Sequence, residues 1–259
     1  MGHERIGHLP KSKKWRDVVD FLAEFQGGRD EVKQLAAQTL VNVRSKIEKI
    51  DQDAGFSDTF KFLVAVAGSF ASFDAGSIEK NLKIKIPDNP TPLALAIELK
   101  RWLPPNRLSE IGLIAQEAAI DSVTSYYVQH KQPEIDLFGE RPGATVWQEL
   151  GTNKGFCELA RLFFANYTNR YLNYFLEREA ASSLKSLSKR IELKEQISNH
   201  AEEVSHHAFE TAKITQSFAA GWYAKRLKAG VFPSNKDIKG FLRIASGKLL
   251  EEIRREGQK

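Results

Sequence analysis

Four ionisable side chains crowd into one short stretch, His200, Glu203, His206 and His207. On a helix, His200, Glu203 and His207 stand at i, i+3 and i+7 and share a face, while His206 turns aside from His207. Glu203 and His206 also have the Glu-x-x-His spacing with which carboxylate-bridged bundles hold metal. Such sites draw on a second pair of the same spacing, and the chain has none. The four residues are therefore read in two ways, as metal ligands or as polar-face histidines bonded to a neighbouring helix.

Other reactive groups are sparse. The lone Cys157 becomes a nucleophile only if a neighbouring base lowers its thiol pKa, and its place between Phe156 and Leu159 fits a buried, inert position. Glu149 and Glu158 can meet across a turn, with no geometry to divide acid and base roles between them. The chain lacks a phosphate-binding glycine loop with its Lys and Ser or Thr, a dinucleotide fingerprint, a zincin signature and a nucleophile elbow. Catalytic residues accordingly stay unassigned, no cofactor is expected, and the enzyme question stays open.

Charge supplies a second kind of chemistry. The chain carries 38 Lys and Arg against 33 Asp and Glu. The excess is uneven: residues 1–50 hold 10 basic and 7 acidic groups, 51–182 hold 13 and 17, and 183–259 hold 15 and 9. Two basic sets result. Lys11, Lys13, Lys14 and Arg16 surround Trp15, a composition that can set charges on phosphates and an aromatic on a base. Lys239, Arg243, Arg254 and Arg255 belong to a C-terminal stretch, 221–259, with 10 basic and 4 acidic residues. Both sets are candidates for nucleic-acid contact, against the plainer reading of a solvated surface. Trp147, flanked by Gly143, Gly151 and Gly155, is a candidate anchor for a protein partner if its loop exposes it.

The elements that must carry these groups read as helices. Apolar residues recur at helical spacing in Trp15–Phe25, Val32–Ile50, Leu93–Trp102 and from near Leu108 to Tyr127. Ser12 is placed to cap the first, and the Gly27-Gly28 pair to end it. Phe56–Phe73 reads as a buried helix, and Leu82–Ile86 alternates as a short strand or extended edge would. Small residues between Ile111 and Tyr127 allow a neighbouring helix to come close. Phe156, Ala160, Phe163, Phe164, Tyr167, Tyr171, Tyr174 and Phe175 make an aromatic stripe. Ser182 or Ser183 then starts or interrupts a long helical region running to Leu227, and a last helix follows, capped by Ser234 or Asn235.

The expected fold is an all-α, irregular multi-helix bundle with at most one short β-hairpin. Two lobes are expected, 1–130 and 147–259, joined by a loop at 131–146 rich in Pro and Gly. No apolar run approaches the roughly 20 residues a bilayer requires, so no membrane association is expected. A single cysteine and the absence of a secretory leader suit a cytoplasmic setting. The reading this supports is a non-enzymatic accessory or interaction subunit with a protein partner. Sequence-independent nucleic-acid binding and a motif-poor metal-dependent enzyme are its alternatives.

Overall fold

The aromatic stripe becomes the spine of the molecule. A computed structural model describes residues 13–47, 50–71, 78–79, 82–87, 90–131, 142–209 and 218–258, and among them there is no strand. The helices are α1 (Lys13–Ala23), α2 (Arg29–Ile47), α3 (Ala54–Ser69), α4 (Pro92–Trp102), α5 (Glu110–His130), α6 (Pro142–Leu150), α7 (Asn153–Ser183), α8 (Leu187–Phe209), α9 (Phe218–Ala229) and α10 (Asn235–Glu256). At 31 residues, α7 is about 46 Å long. Its Phe156, Phe163, Phe164, Tyr167, Tyr171 and Phe175 are all buried. Around it pack α1, α5, α6, α8 and α9.

Helix α3 is the second axis. A helix that is apolar around most of its circumference has to be enclosed on most sides, and nearly every residue from Phe56 to Gly68 is buried. Phe56 meets Tyr167 at 4.8 Å, edge to face, and Phe60 stacks on Phe241 of α10 at 4.9 Å. Against α5, the helices touch at Gly55 and Gly112. A Cβ on Gly55 would lie 2.8 Å from Leu108 Cδ2 and 3.0 Å from the Gly112 Cα. The small residues Ala115, Ala118 and Ala119 continue this contact, all fully buried. The buried apolar residues form one cluster, from Trp15 to Ile253, to which both expected lobes contribute.

Local chemistry sets the helix boundaries. Thr91, Ser109, Thr152 and Ser234 each cap a helix through a side-chain oxygen that accepts a backbone N–H. At Ser234 the cap is reciprocal, since the Asp237 carboxylate accepts the Ser234 N–H at 3.0 Å. The Glu31 carboxylate accepts N–H bonds from Gln26, Gly27 and Gly28 at the start of α2, with Gly27 at φ +107°. These bonds, that of Gly28 foremost, hold the Glu31 pKa below the ordinary value.

Two expectations change, and the break expected at Ser182 or Ser183 falls just after them. Residues 83–87 adopt no regular element, because their polar groups bond to α4 instead of to a strand: Lys85 N–H donates to Glu98 Oε1 at 2.9 Å, and Trp102 Nε1 donates to the Leu82 carbonyl just before them. Pro142–Val146, expected within the connecting loop, is already helical in α6, with Pro142 at the first position, where no helical N–H bond is lost. The region after Ser183 is interrupted at 184–186, where the Leu184 N–H closes α7 on the Ala180 carbonyl before α8 begins. Ser12 and residues 132–141 and 210–217 lie outside the described residues. No described helix is long and apolar enough to cross a membrane.

Candidate functional site

Where α8 runs between α2 and α10, the predicted histidine cluster separates. His200 turns inward and is 3 % exposed, with neither ring nitrogen in a hydrogen bond. Burial drives its pKa down to about 4, so the ring is neutral. Glu203 instead bonds Arg29 of α2 at 2.6 Å, and this bond holds its pKa below the ordinary value. His206 is exposed, its ring 6.0 Å from that of His207. His200, Glu203 and His206 therefore do not converge with His207 on one centre.

His207 takes part in a different group. Its Nδ1 lies 3.4 Å from Glu252 Oε1, and His207, Glu252 and Glu256 bring one ligand atom each within 4.8 Å of one another. Among the described residues this is the group of His, Cys, Asp and Glu that could hold a metal ion. Glu252 and Glu256 are one helical turn apart on α10, on the side that carries the buried Leu249 and Ile253. Cations already attend these carboxylates: Arg255 binds Glu252, and Lys33 lies 3.2 Å from Glu256. Arg255 is 59 % exposed, and a surface ion pair of this kind is weak because solvent screens it. It can be displaced at small cost.

The sequence reading missed both carboxylates, although the signal was present. Two glutamates one turn apart, on the apolar side of an amphipathic helix, have to find partners there.

Glu149 and Glu158 do come together, both within 4 Å of Lys154 Nζ. Glu158 also stands 2.9 Å from His130 Nε2, whose ring stacks on Tyr126 at 4.1 Å. His130 was not among the sequence candidates. Cys157 is fully buried beside them on α7.

The two tryptophans proposed for contacts are both interior. Trp147 is 1 % exposed, stacked between Phe70 and Tyr127 at 5.9 and 5.5 Å, so it anchors α6 to the chain's own core and offers nothing to a partner. Trp15 is buried against Phe175, its Nε1 donating to Glu179, and cannot stack on a base. Lys13, Lys14 and Arg16 around it are exposed, and Lys11 lies outside the described residues. On α10, Lys239, Arg243, Arg254 and Arg255 are exposed. Arg255 is engaged by Glu252, and Arg243 bonds Asp51 at 3.1 Å.

Comparison with protein-family models, curated proteins and solved structures finds no match to this chain.

Proposed function

We propose that this chain is a metal-dependent helical protein whose divalent cation is held by His207 Nδ1, Glu252 and Glu256. The observation that carries the reading is the approach of three donor atoms from two helices to within 4.8 Å. One imidazole and two carboxylates suit zinc or manganese. A three-residue set leaves a coordination position for water or substrate, as hydrolytic centres do and closed structural sites do not. On binding, the metal takes over Glu252 from Arg255, whose exposed side chain swings into solvent.

The test is metal titration of chelator-treated protein by calorimetry and elemental analysis. One equivalent of zinc or manganese is expected, with affinity falling at least about tenfold in His207→Ala and Glu252→Gln. Protein that takes up no stoichiometric metal refutes the reading.

A second reading, the accessory subunit with a protein partner, is favoured by exposed apolar pairs at helical spacing. Leu93 and Ile97 on α4 are 70 % and 60 % exposed, and Leu187 and Ile191 on α8 are 70 % and 51 % exposed. Ile191 also edges a cleft of about 210 Å³ between α7 and α8, lined by Asn173, Glu177, Arg190 and Lys194. Paired apolar side chains on one helix face are the anchors with which helices enter partner surfaces. Sedimentation and mild affinity purification test it. A partner lost in Leu93→Asp/Ile97→Asp or in Leu187→Asp/Ile191→Asp supports this role, and a chain that stays alone refutes it.

A further inference from the structure

The outward side of α10 carries a regular series. Lys236, Gly240, Arg243, Gly247 and Arg254 stand at i, i+4, i+7, i+11 and i+18, so they share one face, and all five are exposed. At 1.5 Å per residue the series spans about 27 Å. Lys239 flanks it, also exposed. On α9, Gly221, Lys225 and Lys228 repeat the spacing i, i+4, i+7 and are exposed too. Arg226 bonds Asp237 at 2.8 Å, which brings this end of α9, with Lys225 and Lys228, to the beginning of α10.

These cations differ from a set of others among the described residues. Arg29, Lys33, Lys61, Lys100, Arg101, Arg170 and Lys194 each face a carboxylate of the chain. Lys225, Lys228, Lys236, Lys239 and Arg254 have no ion pair among the described residues. Arg243 holds Asp51 while its side chain stays 75 % exposed. The acid exposed on the same side of α10 is Glu251.

The glycines add a shape. A Cβ on Gly221, Gly240 or Gly247 would meet nothing within 4 Å. Packing among the described residues therefore does not call for them, and inside a helix glycine is a weaker choice than alanine. They lower the surface between the cations, so that a rod bearing negative charge can lie against the helix.

We propose that the corner where α9 meets α10 binds the phosphodiester backbone of nucleic acid, without base recognition. Charge alone suffices for such binding. A protein partner requires a cluster of apolar or aromatic anchors at the centre of the contact, whereas the exposed large apolar side chains here are Val231, in the turn between the helices, and Ile244 on α10, set apart among the cations. This inference is independent of the metal reading, since Lys236, Gly240 and Gly247 lie away from His207, Glu252 and Glu256.

The experiment measures anisotropy of the full chain with labelled single-stranded and duplex DNA of about 20 nucleotides, from about 50 to 200 mM salt. Both probes should bind. Three to five neutralised phosphates give a log–log salt slope of about −2 to −3.5 on the single strand. The triple reversal Lys236→Glu, Lys239→Glu, Arg254→Glu should lower affinity at least about tenfold for every probe, with helical circular dichroism retained. If it fails to fold, Lys239→Gln and Arg254→Gln singly take its place, each costing about two- to threefold. Gly240→Ala/Gly247→Ala should raise the melting temperature and still weaken binding. The proposal is overturned by no binding at 50 mM, by unchanged affinity in the charge variants, or by undiminished binding in the glycine variant. Polyglutamate that competes as well as DNA overturns it in favour of an acidic protein.

Discussion

Replacing His200 with Leu should flatten the acid sensitivity of the fold. The imidazole is buried and neutral, its pKa near 4, with burial as the main cause. Glu203 and Glu256 pull that value up and Lys33 and Arg29 push it down, so the nearby charges largely oppose one another. In the unfolded chain a histidine titrates near 6.5. Between these values the unfolded state binds a proton that the folded state refuses. The contribution is thus intact above about pH 6.5 and is lost progressively as pH falls toward 4. Taking both pKa values, the loss from pH 7 to pH 5 is about 2 kcal/mol. Glu203, held below the ordinary carboxyl value by Arg29, stays ionised through this window. Leucine nearly matches the volume of histidine and removes two polar atoms without partners, so His200→Leu should be at least as stable as the native chain at pH 7. Urea unfolding followed by circular dichroism at pH 7 and pH 5 gives both quantities. The native protein should lose about 2 kcal/mol more than the variant across that interval. Equal losses in the two proteins refute the assignment of a buried neutral ring.

Trp147→Ala should cost about 3–5 kcal/mol, because it empties a fully enclosed site between Phe70 and Tyr127; thermal melting measures it, and a near-neutral effect places the ring outside the core. Ser234→Ala removes the reciprocal cap of α10 and should cost about 1 kcal/mol, lowering the melting temperature by about 2–4 °C. A variant that melts with the native protein contradicts the capping geometry. Gly55→Ala drives a methyl against Leu108 and the Gly112 backbone and should destabilise by about 1–3 kcal/mol; enlarging Gly221 to Ala, in open space, should have the opposite sign.

Periodicity made the helical fold legible, because a side chain's direction repeats with the backbone and burial follows direction. The stripe from Phe156 to Phe175 and the end signals at Gly27 and Ser234 all act over a few residues. Trp147 shows where local reading stops. The glycines around it suggested an exposed loop, yet Phe70 and Tyr127, distant in sequence, enclose it. The histidines repeat the lesson: His200 and His207 share a helical face, but α2 and α10 press on it at different heights, burying one and bringing carboxylates to the other. Glu252 and Glu256 carried a readable anomaly, charge on an apolar face, whose partner on α8 no spacing within α10 could name.

The stacking of Phe60 on Phe241 has a consequence for synthesis. The two residues are separated by 181 positions, and ribosomes add roughly 5–20 residues per second. For roughly 9–36 s after Phe60 is made, the covering ring on α10 does not yet exist. Helix α3, largely apolar, waits through that interval with the turn at Ile50–Gln52, Trp102 of α4, α5 and then α7 as early neighbours. The nascent chain therefore carries the largely apolar segment Phe56–Gly68 through most of translation before its α10 cover is made.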